Sequence, residues 1–213
     1  MRNWDKYLKL KRERPKLFAG EELEIVFDEE IIKDFEAKSG REIGILYESA
    51  WRLMLVDLVR NCDGKLFAYE RVIPRKTGGV AILPIYDGKV LLVREYRHPV
   101  RRWCWEIPRG FGEAASSALS NAKKELHEET GISEAEFTHM GQLMPDSGLT
   151  SDRVDLFAAD VKELVCSIEN QEETETISQV RLFSLDEIQK MIKSGEICDS
   201  FTLSAIGIWQ LQK

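Results

Sequence analysis

Residues 110–132, GFGEAASSALSNAKKELHEETGI, decide how the rest of the chain is read. A glycine-containing turn follows Pro108, and Ala115, Ala118, Leu119, Ala122 and Leu126 then recur at helical spacing. That spacing predicts a helix with an apolar side, closed by Gly131 as its C-cap. Glu125, Glu128 and Glu129 stand at i, i+3 and i+4, so their carboxylates share one helix face. Like charges this close repel unless a cation offsets them, and an all-oxygen cluster suits a hard divalent ion such as Mg²⁺. A solvated acidic helix face carries the same pattern, so the spacing alone leaves both readings open.

The composition bounds the rest. The chain has 213 residues, 43% of them hydrophobic and 31% charged, as in an ordinary globular protein of one large domain or one domain plus a smaller one. A net charge of −7 argues against nucleic acid as a partner. No apolar run approaches the roughly 20 residues of a membrane span, and the N-terminus lacks the apolar stretch of a signal peptide. The four cysteines, Cys62, Cys104, Cys166 and Cys198, are widely spaced with no C-x-x-C, which fits reduced thiols and a cytoplasmic location.

Outward from the helix, the period changes along the chain. Residues 1–18 are basic and residues 21–36 acidic. Within the latter, Asp28 caps a short amphipathic helix that buries Ile31, Ile32 and Phe35 and stops at Gly40. RLMLVDLVR and KLFAYERVI flank a turn containing Asp63-Gly64 and predict a hairpin. A second hairpin turns at Asp87-Gly88, and residues 80–85 are apolar enough for a strand buried on both faces. Further strands are predicted before and after the loop PDSGLTSD, and another follows the acidic loop ENQEETET. Ser184-x-x-Glu187 is a capping box opening a helix with Ile188, Met191 and Ile192, and a last helix covers residues 201–212. Strands on both sides of a central helix predict an α/β sandwich.

The opening stretch resembles the Nudix hydrolase signature, G-x5-E-x7-R-E-U-x-E-E-x-G-U with U a bulky aliphatic. Gly110, Glu125-Leu126, Glu128-Glu129 and Gly131-Ile132 fill its positions, while Ser116 stands for its first glutamate and Lys124 for its arginine. Lysine keeps the charge but loses the planar fork. The resemblance implies an α/β/α sandwich around a mixed sheet over residues 77–213. Residues 1–76 would form an N-terminal β-rich extension like that of ADP-ribose pyrophosphatases, which often pairs with a second subunit. It further implies Mg²⁺, with Mn²⁺ as an alternative, held by Glu125, Glu128, Glu129 and the backbone carbonyl of Arg109.

Other segments extend the resemblance. Arg94, Arg97, His98, Arg101, Arg102 and Arg109 fall within 16 residues, and arginine's fork matches phosphate oxygens. EYRHP resembles the subfamily's Q-Y-R-x-P, which implies that Arg97 contacts substrate. WEIPRG resembles its E-x-P-x-G, which places Glu106 and Arg109 on the substrate side. Trp103 and Trp105 are open between core packing and adenine stacking. PDSGLTSDR resembles the segment that carries a catalytic glutamate, with Asp152 in its place, so the catalytic carboxylates would be Glu128, Glu129 and Asp152. His98, His127 and His139 are scattered and carry no assignment. The implied reaction is hydrolysis of a nucleoside diphosphate linked to another moiety, ADP-ribose to AMP and ribose 5-phosphate above all, by a homodimer. Alternatives are another nucleotide sugar, or a Nudix-fold sensor that binds without cleaving.

Overall fold

The computed structural model describes residues 3–20, 22–76, 78–112, 116–164 and 176–212. Ala115, Cys166 and the acidic loop short of Thr176 lie outside them. The chain divides into two compact units, one of residues 1–75 and 146–152, the other of residues 76–145 and 153–213.

The first unit contains α1 (Asn3–Glu13), a 3₁₀ turn (Pro15–Phe18), β1 (Glu24–Ile25), α2 (Glu29–Ser39), β2 (Gly44–Glu48), β3 (Arg52–Arg60) and β4 (Leu66–Pro74). α2 is capped as its sequence predicts: Asp28 accepts from the backbone of Glu30 and Ile31, and Gly40 stops it at a φ of 70°. β3 is the central strand, antiparallel to β4 along its whole length and to β2 and β1 on its other edge. Its side chains alternate between two cores, because successive strand residues face opposite sides. Leu53 and Leu55 pack with Tyr7 and Leu10 of α1, while Val56 and Leu58 pack with Ile32 of α2. Asp57 continues the first of these faces, where it accepts the Tyr7 hydroxyl and pairs with Arg71 at 2.5 Å. Burial, then Asp57, pushes the Tyr7 phenol well above its ordinary pKa. The basic charge of residues 1–18 predicts no element, yet α1 forms there. There the helix is held by this buried contact, which no local pattern announces.

The second unit runs β5 (Gly79–Tyr86), β6 (Lys89–Arg97), β7 (Arg102–Glu106), β8 (Arg109–Gly110), α3 (Ala118–Thr130), β9 (Ala135–Leu143), β10 (Val154–Val161), β11 (Ile177–Phe183), α4 (Leu185–Ser194) and α5 (Ser200–Leu211). Its mixed seven-stranded sheet has the order β11-β6-β5-β10-β9, and the β5–β10 pair is parallel. On one face Val80 and Ile82 pack with Ala122 and Leu126 of α3. On the other, Ala81 and Leu83 pack with Ile188 of α4 and Ile206 of α5. This is the α/β/α sandwich the sequence predicts, with its continuous apolar strand at the centre.

Two details position the site. β5 and β6 pair only next to their turn, at Ile85↔Val90 and Tyr86↔Lys89, and then part. β7 pairs with β6 and β8 with β5, so the turn from Glu106 to Arg109 links the two parted strands. α3 begins later than the apolar spacing suggests, at Ala118 behind the Ser117 cap. Leu119, expected on its apolar side, is 41% exposed instead. Leu119 stands seven residues before Leu126 and so on the same side of the helix, but in its first turn, which the core does not cover.

Candidate active site

Glu125, Glu128 and Glu129 occupy the last turns of α3 on the face their spacing predicts. Glu129 is 1% exposed and Glu125 7%, while Glu128 is half-buried. Buried carboxylates need compensation, because desolvation penalises the charged form. Glu129 Oε1 accepts the backbone N–H of Arg109 at 3.2 Å. Lys124 Nζ lies 3.8 Å from Glu128 Oε1, so the lysine at the signature's arginine position faces a signature glutamate. The Glu125 carboxylate rests against β8, where a Cβ on Gly110 would stand 2.1 Å from its Oε2. Only glycine leaves it room. Gly112 is confined likewise, since its Cβ would meet the Gly78 carbonyl oxygen at 1.9 Å.

Among the described residues, no three His, Cys, Asp or Glu side chains come together at coordination spacing. The donor chemistry still fits a hard cation: three carboxylates on one helix face, two of them buried, one pressed into a cradle that a side chain at residue 110 would fill.

A second cluster lies where β6 and β7 pair. Arg97 reaches Glu95 at 2.7 Å through Nη1 and Glu106 at 2.5 Å through Nε. Arg109 Nη2 approaches Glu106 at 3.5 Å and Asp199 at 3.8 Å, with its guanidinium 4.6 Å from the Phe201 ring centroid. Burial alone would lower the pKa of Arg97, but Glu106 and Glu95, with Glu129 behind them, raise it. Burial pushes the Glu95 carboxyl up to about 7; Arg97 opposes this and Glu106 adds to it. Asp199 also caps α5 by accepting from Thr202, whose hydroxyl accepts the Ile107 backbone N–H at 3.0 Å. Glu95 and Asp199 escaped sequence reading. Glu95 had a signal, since it stands two residues from Arg97 on one strand and so shares its face. Asp199 had none beyond its place before a helix.

Asp152 belongs to the first unit, in a loop tied to β4 by the Val72 N–H to the Leu149 carbonyl (2.8 Å) and the Ser151 N–H to the Val72 carbonyl (3.2 Å). Its carboxylate lies 3.6 Å from Arg52 Nη1. Trp105 is buried edge-on against Phe183. Trp103 is 40% exposed, beside Tyr96 and 5.5 Å from the Arg94 guanidinium. Arg101 contacts His98, and Arg102 donates to the Gly195 carbonyl and the Cys198 sulfur. His127 pairs with Ser133 and His139 with Asp155, and both histidines are exposed.

Comparison with known proteins follows the same lines. The NUDIX domain family profile matches residues 75–199. An ADP-ribose pyrophosphatase of Bacillus subtilis (strain 168) is 30% identical over 181 residues, 83% of this chain and 96% of the relative. One of Saccharomyces cerevisiae (strain ATCC 204508 / S288c) is 31% identical over 187 residues, 79% of this chain and 80% of the relative. A methanol dehydrogenase activator of Bacillus methanolicus is 29% identical over 189 residues, 88% of this chain and 96% of the relative. Among solved structures, an ADP compounds hydrolase superposes with a TM-score of 0.69 at 20% identity, over 80% of this chain and 91% of the other.

Proposed function

Because the chain belongs to the NUDIX family and is a NUDIX hydrolase, we propose that it cleaves nucleoside diphosphates linked to another moiety, ADP-ribose foremost, to AMP and ribose 5-phosphate. The observation that carries this reading is the meeting of a carboxylate face with paired arginines. The Arg109 backbone holds Glu129, and its guanidinium joins the cluster that holds Arg97. The ADP-ribose pyrophosphatases among the relatives support the choice of substrate.

NUDIX hydrolases generally use divalent metals. Mg²⁺ or Mn²⁺ would draw on Glu125, Glu128, Glu129 and the Arg109 carbonyl, and would neutralise the diphosphate and the charge that builds up on its oxygens. Arg97 and Arg109 bind the diphosphate through their forks. Glu106 orients both, since one carboxylate touches each guanidinium. Asp152 takes the proton of the attacking water, the role its segment implies, with Glu128 and Glu129 as the other bases available. The partner is a small-molecule nucleotide diphosphate, neither nucleic acid nor membrane. Among the described residues no helix is long and apolar enough to cross a bilayer.

The test is a panel of ADP-ribose and nucleotide sugars incubated with Mg²⁺, Mn²⁺ or chelator. Metal-dependent release of a nucleoside monophosphate, fastest from ADP-ribose, is expected. Cleavage of another panel member alone would move the substrate. Tight binding without cleavage under any metal would make the protein a sensor, with Ser116 and Lys124 as the first positions to revert. Asp152→Ala then assigns the base: a fall in kcat of about 10²–10⁴-fold is expected, and an unchanged kcat would transfer the role to α3.

A further inference from the structure

The arginine cluster carries a charge imbalance. Glu95, Glu106 and Asp199 contribute three carboxyl groups against two guanidiniums, Arg97 and Arg109. Glu95 pairs with a single guanidinium, Arg97 at 2.7 Å, shares a hydrogen bond with the Glu106 side chain and is 4% exposed. Each buried carboxylate beyond the available cations is costly, so one member of such a set tends to hold its proton. Glu106 touches both guanidiniums whereas Glu95 touches one, so the Glu95 charge is the less compensated of the two.

We propose that Glu95 is a positioning residue whose protonation sets how strongly Arg97 grips the anionic diphosphate. This rests on the function proposed above. With Glu95 ionised, Arg97 is shared between two carboxylates and its charge is largely spent within the protein. With Glu95 protonated, Arg97 answers to Glu106 alone and keeps more attraction for phosphate oxygens. A diphosphate anion at Arg97 also disfavours a second negative charge 2.7 Å from the same guanidinium. Substrate binding and protonation of Glu95 therefore favour each other.

The groups that face Glu95 are Arg97 on its own strand, Glu106 and Cys104 on β7, and Arg109 on β8. Burial, opposed by Arg97 and aided by Glu106, pushes the Glu95 carboxyl up to about 7. The sign follows: below that pH the protonated, tighter-binding form dominates, and above it the ionised form does.

The test is the pH dependence of KM for ADP-ribose at saturating Mg²⁺ in the wild type and Glu95→Gln, between about pH 6 and 8.5. The wild-type KM should rise above pH 7, by at most tenfold per unit for a single linked proton. Glu95→Gln mimics the protonated acid, so its KM should stay low and flat while kcat follows the wild type's own profile. A purely structural Glu95 would change KM at every pH without changing its slope. Parallel KM profiles in the two proteins overturn the proposal. If Glu95→Gln does not fold, Glu95→Asp replaces it: a displaced inflection supports the proposal and an undisplaced one overturns it. A wild type that cleaves no diphosphate at any pH refutes the functional reading itself, a result distinct from parallel profiles.

Discussion

A methyl group at position 110 would overlap a carboxylate, and that single overlap separates folding from function. The Cβ of Gly110→Ala would lie 2.1 Å from Glu125 Oε2, the end of a flexible side chain, so the glutamate can rotate away while the strand stays. We expect Gly110→Ala to lose activity by at least tenfold with a far-ultraviolet circular dichroism spectrum unchanged. Full activity would mean that Glu125 is not needed where the structure puts it. At this scale the sequence was most informative about α3, because helical spacing converts i, i+3 and i+4 directly into neighbours. It was silent where contacts cross the fold. Asp199 meets Arg109 over 90 positions of chain, and no local period encodes such a meeting.

The caps of α2 and α4 were legible because a cap is a local bargain between one side chain and two or three backbone N–H groups. α1 was not, since its apolar residues are few and its anchor is the buried hydrogen bond from its own Tyr7 to Asp57 of β3. The capping residue of α5 does two things. Asp199 Oδ2 accepts the Thr202 N–H at 2.9 Å, while Oδ1 lies 3.8 Å from Arg109. Asp199→Ala should therefore cost about 1 kcal/mol of stability through the lost cap and change KM as well, because Arg109 loses one of its two carboxylate partners. Asp199→Asn keeps a good cap and loses the charge. We expect it to melt near the wild type while its KM still changes. Equal KM values for Asp199→Asn and wild type would show that Arg109 does not depend on this partner.

At the scale of the molecule, the first unit presents apolar surface that a single copy leaves to solvent. Leu23, Leu46, Tyr47, Trp51, Tyr69 and Leu149 are all exposed there, although β3 between β2 and β4 is almost wholly buried. A few such residues are ordinary, but six in one small unit suit a self-association surface. We propose a homodimer that covers it. Light scattering coupled to size exclusion should give about twice the 24.5 kDa chain mass, and Tyr47→Glu with Trp51→Glu should give the monomer. A monomeric wild type at micromolar concentration would refute the dimer. The sandwich itself was readable because a strand buried on both faces and a helix with one apolar stripe admit few arrangements. The parting of β5 and β6 was not, because it depends on which strands pair, and β8 is only two residues long. The central claim, that the buried carboxylates of α3 drive metal-dependent diphosphate cleavage, is tested most directly by quantifying AMP released from ADP-ribose in Mg²⁺ by wild type and Glu129→Gln. Rapid release by the wild type is expected, with a loss on the order of 10³-fold in the variant, several kcal/mol of transition-state stabilisation. Equal release by the two proteins would contradict it.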